Sequence, residues 1–384
     1  MAFFGNDAIN RVNVHTGILA LAQGAGGIFF LVFLLRAGIS VPHALIAQAA
    51  ILGGRFLLRP AVLPLAKRVG LKPLLIAGTL GLALQYPLLA TVHGVGPTLV
   101  ALLVVVSLAE ILYYPAYNAA FASLGDAEHR GHQIAAREAV VAIVGVVAPL
   151  LGAWALVTIG AGTTFAAVGV VQALAAVPLI GVPNVAVVDE APGALRAARL
   201  GGILIALDGW FDALYIIIWQ VALFVALGSS FTAYGGAMAL AGLVGGACGL
   251  FLGRIIDSGR GRRAVAIAFT VAAALTTLRA VSLDLPWLAV IANAAGAALW
   301  PLLLPALGTA TYNLAKAAPC TFRFNLVLEA GWDVGCASAC LITAALVAAG
   351  VPLGWTILLA LPAVAIAARL LWQYYGSRTA MVPA

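Results

Sequence analysis

The chain has 384 residues, of which 64% are hydrophobic and 9% charged, with a net charge of +7 and a mean hydropathy of +1.11. Soluble domains carry about a quarter charged residues, so a soluble core cannot hide this much apolar surface and a helical membrane protein is the class that remains. The positive excess sits in short turns between apolar runs, which is a topology signal and excludes a nucleic-acid surface.

Taken in chain order, the apolar runs predict twelve membrane spans. They cover about 14–36, 43–66, 72–92, 97–121, 132–157, 163–183, 200–226, 231–257, 263–283, 286–313, 321–349 and 353–375. The runs are too long, and alternate too little, for barrel strands, so the expected fold class is all-α. Residues 3–14 are polar and the first long run follows them, so no cleavable leader is expected.

Basic residues fall on one side of the predicted spans: Arg11, Lys67, Arg68, Lys72, Arg130, Arg196, Arg199, Arg260, Arg262, Arg263, Lys316, Arg323 and Arg378. The opposite turns hold Arg36 and little else. This asymmetry predicts both termini in the cytoplasm, and the expected location is the cell (inner) membrane.

The chain also repeats itself at about half its length. Gly17-Ile18-Leu19 matches Gly202-Ile203-Leu204, and Pro115-Ala116 matches Pro305-Ala306. Glu138-Ala139 followed by Gly145 matches Glu329-Ala330 followed by Gly335. Two pseudo-symmetric six-helix bundles are expected, at 1–183 and 200–384, with a polar cytoplasmic linker at 184–199 holding Asp189, Glu190, Pro192 and Gly193.

Two short basic turns mark the halves. Residues 65–75 read LAKRVGLKPLL, and residues 249–263 read GLFLGRIIDSGRGRR. The first resembles the loop 2–3 signature of the major facilitator superfamily, with Lys67 at the usual Asp and Leu71 at the first late Arg. The second is closer, through Gly253, Asp257, Arg260, Gly261, Arg262 and Arg263. In the fifth helix, Gly145, Pro149 and Gly152 resemble the signature of this superfamily's antiporters, with Ala148 in place of one Gly. The resemblance implies a twelve-helix secondary transporter that alternates access by rocking two halves, with helices 1, 4, 7 and 10 lining the cavity. Many drug antiporters carry a central Arg in helix 4, whereas this chain reads SLAEILYYPAYN there, with Glu110 and no Arg.

Charges inside a membrane are costly and are functional candidates. Arg55, Glu110, Asp208 and Asp212 fall near mid-depth, and Arg59 lies one turn from Arg55. Asp208 and Asp212 share one face of the seventh helix. Two carboxylates that close in low dielectric do not both stay ionised, which suits a proton carrier. The alternative is structural neutralisation, such as Arg55 pairing with Glu110. Arg55, the most central cation, also suits an anionic substrate. Glu138 and Glu329 are repeat equivalents expected to bridge to the basic turns as gates with Arg68, Asp257 and Arg260, while Asp333 has no counterpart and suits a half-specific task.

Gln23, Tyr114, Asn118 and Trp300 are expected to complete the cavity, together with Tyr113, Tyr117, Trp210, Tyr215, Trp219, Asn293 and Trp332. Arg279 is expected to snorkel to a membrane edge. His15, His43, His93, His129 and His132 fall at helix ends or turns, and Cys248, Cys320, Cys336 and Cys340 read as packing residues, so no metal site, disulfide or cofactor is expected. No nucleotide-binding or G-x-S-x-G or H-E-x-x-H pattern occurs, so a gradient and not an enzyme reaction drives the protein. The expectation is proton-coupled export of a small organic molecule by a monomer in the bilayer. The rivals are a uniporter or anion transporter centred on Arg55, a metal-cation exporter using Asp208, Asp212, Glu110 and Asp333, and a transporter-like sensor.

Overall fold

A computed structural model describes residues 5–125, 130–188, 190–256 and 261–379. Among these there are helices and no strands, and twelve helices are long and apolar enough to cross a membrane. They are α1 (Asp7–Arg36), α2 (Val41–Val69), α3 (Leu71–Ala90), α4 (Pro97–Leu124), α5 (Arg130–Thr158) and α6 (Ala161–Ile180). The second set is α7 (Arg199–Ala226), α8 (Phe231–Ile256), α9 (Gly261–Ser282), α10 (Pro286–Ala317), α11 (Thr321–Ala348) and α12 (Leu353–Gly376). The order and number are those expected from the apolar runs.

The one long boundary shift is in α1, which starts seven residues before the apolar run. Asn6 caps it: its side-chain oxygen accepts from the Ile9 amide at 3.0 Å, and its amide donates to the Leu124 carbonyl at 2.9 Å. A cap of this kind makes a helix of polar residues that hydropathy alone does not reach.

Among the described residues, four of the spans contain a 3-10 or π-helical segment. Gly27–Phe29 forms a 3-10 turn in α1 and Arg59–Ala61 another in α2, where Pro60 lacks the amide an α-helix needs. Ala213–Ile218 in α7 and Leu304–Gly308 in α10 are π-helical. Such irregular backbone at membrane depth is tolerated only inside protein or beside a cavity, so these segments mark where function is expected.

Close contacts join the first six helices to the last six along α2–α11 and α5–α8. In α2 the contact is made by Val41–Leu58 and not by Val62–Val69, so α2 and α11 diverge toward the basic turns. At the opposite end, Phe29 packs edge-on against Phe231 and Tyr234, and the Tyr234 hydroxyl donates to the Ile28 carbonyl at 3.1 Å. The assembly is sealed at that end.

The first basic turn is pinned from the start of the expected linker. Gly70 takes a left-handed φ of 79°, and the turn it makes exposes amides and carbonyls that Asn184 bonds. The Asn184 side chain accepts from the Lys72 amide at 3.1 Å and donates to the Val69 carbonyl at 2.8 Å. Leu71 adds a backbone bond to Val185 at 2.9 Å. Asn184→Ala is therefore expected to cost about 1 kcal/mol, read as a small fall in apparent Tm in detergent, with Asn184→Asp recovering only the bond to Lys72.

Candidate functional site

The site is built on the break in α2. Arg55 lies in the last turn of Val41–Leu58 and Arg59 opens the 3-10 turn after it. Both are buried, at 3% and 5% exposure. A buried guanidinium needs carboxylate partners, and three converge here. Arg55 Nη1 donates to Glu110 of α4 at 2.9 Å. Its Nη2 lies 3.1 Å from Glu329 and 3.0 Å from Asp333, both on α11. Arg59 Nη2 pairs with the other oxygen of Asp333.

The surroundings hold this arrangement in register. Asn118, two turns along α4 from Glu110, donates to Glu329 Oε1 at 3.1 Å. The rings of Tyr114 and Trp332 lie 5.3 and 5.4 Å from the Arg55 guanidinium carbon. The Gln23 side chain of α1 reaches the Tyr114 hydroxyl. Glu110 and Glu329 keep 19% of their side chains exposed, so the acids, not Arg55, present an edge to open space. With every group ionised, two guanidiniums face three carboxylates, and the cluster carries a surplus negative charge. Arg55 Nε, Arg59 Nε and Arg59 Nη1 have no acceptor among the described residues.

Asp208 and Asp212 form a second group. They keep the shared face read from their spacing, but that face does not look at the Arg55 cluster from across a cavity. Asp208 lines a pocket with Leu204, Phe211, Phe269, Leu303 and Val364, between α7, α9, α10 and α12. The rotation of α7 decides this. Gly201 and Gly209 bring α7 against α11 so closely that a Cβ at Gly209 would strike the Trp332 backbone. Asp212 is 8% exposed, and its Oδ2 accepts from Trp332 Nε1 at 3.1 Å. Its Oδ1 has no partner among the described residues.

Other expected residues fall elsewhere. Trp300 is 39% exposed, and no hydrogen bond or ring contact joins it to the cluster among the described residues. Glu329, expected to bridge to a basic turn, is held instead by Arg55 and Asn118, because α11 packs on α2 at that level. Arg68 is exposed at the basic end and forms no ion pair among the described residues. The side chain of Glu138, and Asp257 and Arg260, lie outside the described residues, so the expected gate pairs do too. The four acids of the metal-exporter reading divide between the two groups, and no three potential metal ligands come together among the described residues.

Two residues depart from what their position in the sequence predicts. Arg279 does not snorkel: it is 5% exposed, donates to the Tyr215 carbonyl inside the π-helical segment, and packs 3.7 Å and 4.8 Å from the Tyr215 and Trp219 ring centres. The segment's i→i+5 pattern leaves carbonyls short of helical donors, and the guanidinium supplies one. His15 is not a helix-end residue: it is fully buried in α1. Its Nδ1 sits 2.7 Å from the Ala175 carbonyl, so that nitrogen carries the proton, and Nε2 accepts from the Tyr113 hydroxyl at 2.8 Å. Neither has a sequence signal beyond a polar residue within a helical run.

The comparisons with known proteins follow the same lines. The profile described as Major Facilitator Superfamily matches residues 15–201. The crystal structure of the human organic anion transporter MFSD10 (TETRAN) is similar over 95% of this chain and 99% of its own, with a TM-score of 0.70 and 13% identity. At that identity the likeness is one of fold. No curated protein matches the sequence significantly. Twelve apolar helices in this order make the chain a multi-pass membrane protein, with the fold of a major facilitator transporter and a first half that matches the Major Facilitator Superfamily model.

Proposed function

We propose that the protein moves a small organic solute by proton-coupled alternating access, in the direction of export. The carrying observation is the surplus carboxylate at Arg55, shared between α2 and α4 on one side and α11 on the other. Opening the sealed end requires α2 and α11 to part, which separates Arg55 from Glu329 and Asp333. Carboxylates left in low dielectric then need a proton or a cationic partner, and this ties conformational change to proton uptake. Glu110 and Asp212 are the proposed carriers, with Asp208 behind Asp212. Solute would meet the exposed edges of Glu110 and Glu329, flanked by Tyr114 and Asn118.

The two rocking units are 1–183 and 200–384, linked by 184–199. Arg68, Glu138, Asp257 and Arg260 are assigned to closing the basic end, which is consistent with an exposed Arg68 while that end stands apart. The protein would work as a monomer in the inner membrane with both termini cytoplasmic.

A second reading is favoured by one observation. The unpartnered N–H groups of Arg55 and Arg59 would donate to an anion, and a structural neighbour is described as an organic anion transporter. The reading then becomes an anion carrier with Arg55 as its ligand.

The test is proton release from purified protein in detergent as organic cations and anions are added, with Glu110→Gln, Asp208→Asn and Asp212→Asn alongside. Release on adding one compound, lost in Glu110→Gln or Asp212→Asn, supports proton-coupled exchange. Binding of an anion with no proton signal in any form overturns that reading in favour of the anion carrier.

A further inference from the structure

Trp332 touches both the Arg55 cluster and the Asp208–Asp212 pair. Trp332 places its ring 5.4 Å from the Arg55 guanidinium carbon, and its Nε1 donates to Asp212 Oδ2 at 3.1 Å. Its backbone is wedged against Gly209, so the indole leaves α11 from a fixed point beside α7. We infer that Trp332 is a positioning residue that couples the protonation of Asp212 to access to Arg55. This rests on the proton-coupled reading, but its test needs neither solute nor transport.

An indole has one N–H donor and no acceptor. To an ionised carboxylate that donor makes a charge-assisted bond, roughly twice as strong as a neutral one. With Asp212 ionised, the bond holds the indole between Asp212 and Arg55, where its ring covers the guanidinium. With a proton on Oδ2, the indole N–H faces an O–H and the bond is lost. With the proton on Oδ1, which has no partner among the described residues, the bond survives only in its weaker neutral form. In either case the hold on the indole weakens, and its ring covers Arg55 for less of the time. Protonation in the second group is thereby felt in the first, without the two groups touching.

The neighbours of Asp212 leave it as the group that titrates against Trp332. On α7 itself, Asp208 is one turn away in an apolar pocket, and the Tyr215 hydroxyl is bonded to the Gly296 carbonyl. From α11, Asp333 and Glu329 are committed to the arginines, and Cys336 and Cys340 are fully buried. From α2 and α4, Arg55 and Glu110 pair with each other, and Arg59 pairs with Asp333. Arg279 of α9 is engaged by the Tyr215 carbonyl. At this level α12 offers Ala363, Val364 and Ala367, none of which titrates. The end of α10 that packs on α7 brings Tyr312 and Lys316, which pair with each other toward the basic end.

The experiment is fluorine NMR of the full-length protein labelled with fluorotryptophan in lipid nanodiscs, titrated through neutral pH. There are eight tryptophans, and the Trp332 resonance is the one missing in Trp332→Phe. Should that variant not fold, replacing each of the others in turn identifies it by elimination. The expected result is a Trp332 resonance that titrates in wild type, stays flat in Asp212→Asn, and moves its midpoint in Asp208→Asn. In parallel, phenylglyoxal labelling of Arg55, taken as a ratio to exposed Arg196 in the same sample, should rise several-fold on the acid side in wild type only. A Trp332 resonance that is flat in wild type, or that still titrates in Asp212→Asn, overturns the inference. So does an Arg55 labelling ratio that ignores pH. A flat resonance beside intact solute-driven proton release would leave the transport reading standing while this one fails.

Discussion

Arg55→Gln will destabilise the protein by about 3–5 kcal/mol, because it leaves buried carboxylates without their counter-ion. Glu110 loses its only ion-pair partner among the described residues, and Glu329 keeps the Asn118 hydrogen bond and the more distant charge of Arg59. Asp333 keeps Arg59, so the loss falls chiefly on the other two. Arg55→Lys will recover little, since an ammonium cannot present two separate N–H edges to carboxylates on α4 and α11 at once. The decisive comparison is the triple change Arg55→Gln, Glu110→Gln and Glu329→Gln. Removing the unpaired charges along with the guanidinium should restore most of the apparent Tm in detergent while transport stays lost. If Arg55→Gln unfolds with wild-type Tm, the cluster does not hold α2, α4 and α11 together.

Two glycine substitutions should separate folding from conformational state. A Cβ at Gly335 would strike the Ala206 carbonyl, a contact between α11 and α7 within the last six helices. A Cβ at Gly242 would strike the Gly145 carbonyl, between α8 and α5 across the two sets. Each overpacks a tight backbone contact, at a cost of about 1–3 kcal/mol. For Gly335→Ala that cost falls on the folded protein in any state, and the Tm should fall. For Gly242→Ala it falls only on the arrangement in which α5 and α8 touch. Since about 1.4 kcal/mol is tenfold in a population, the balance should move roughly five- to a hundredfold toward the parted state. Spin labels at Thr158 and Ala233, both exposed at the sealed end, would read this as a longer distance component in Gly242→Ala and not in Gly335→Ala. A distance distribution unchanged by Gly242→Ala would show that α5 and α8 do not part at that level.

Arg55 shows how far residue patterns reach. Its burial and its pairing with Glu110 follow from two charges that cannot be exposed to lipid and sit at similar depth in nearby spans. Its bonds to Glu329 and Asp333, 274 residues or more away in sequence, do not follow, because no periodicity says which helix of the second half lies against α2. Asp208 makes the same point in reverse. Spacing puts it on one face with Asp212, yet the face is aimed by the packing of Gly201 and Gly209 on α11, which the seventh span does not reveal without its partner. Arg279 and His15 were misplaced for a related reason: each answers a backbone carbonyl that is free only because of a π-helical or kinked neighbour.

By itself the sequence determined that this is a twelve-helix membrane protein, where its spans are bounded apart from the start of α1, which of their turns are basic and which charges lie inside. Lipid imposes those features one segment at a time, through the need for about twenty apolar residues and satisfied backbone bonds in each. Only the tertiary structure decided which charges meet, that α2 and α11 share one cluster, and that Trp332 stands between it and Asp212. Those depend on helix rotation and close approach, which are properties of pairs of helices and are written in no single one of them.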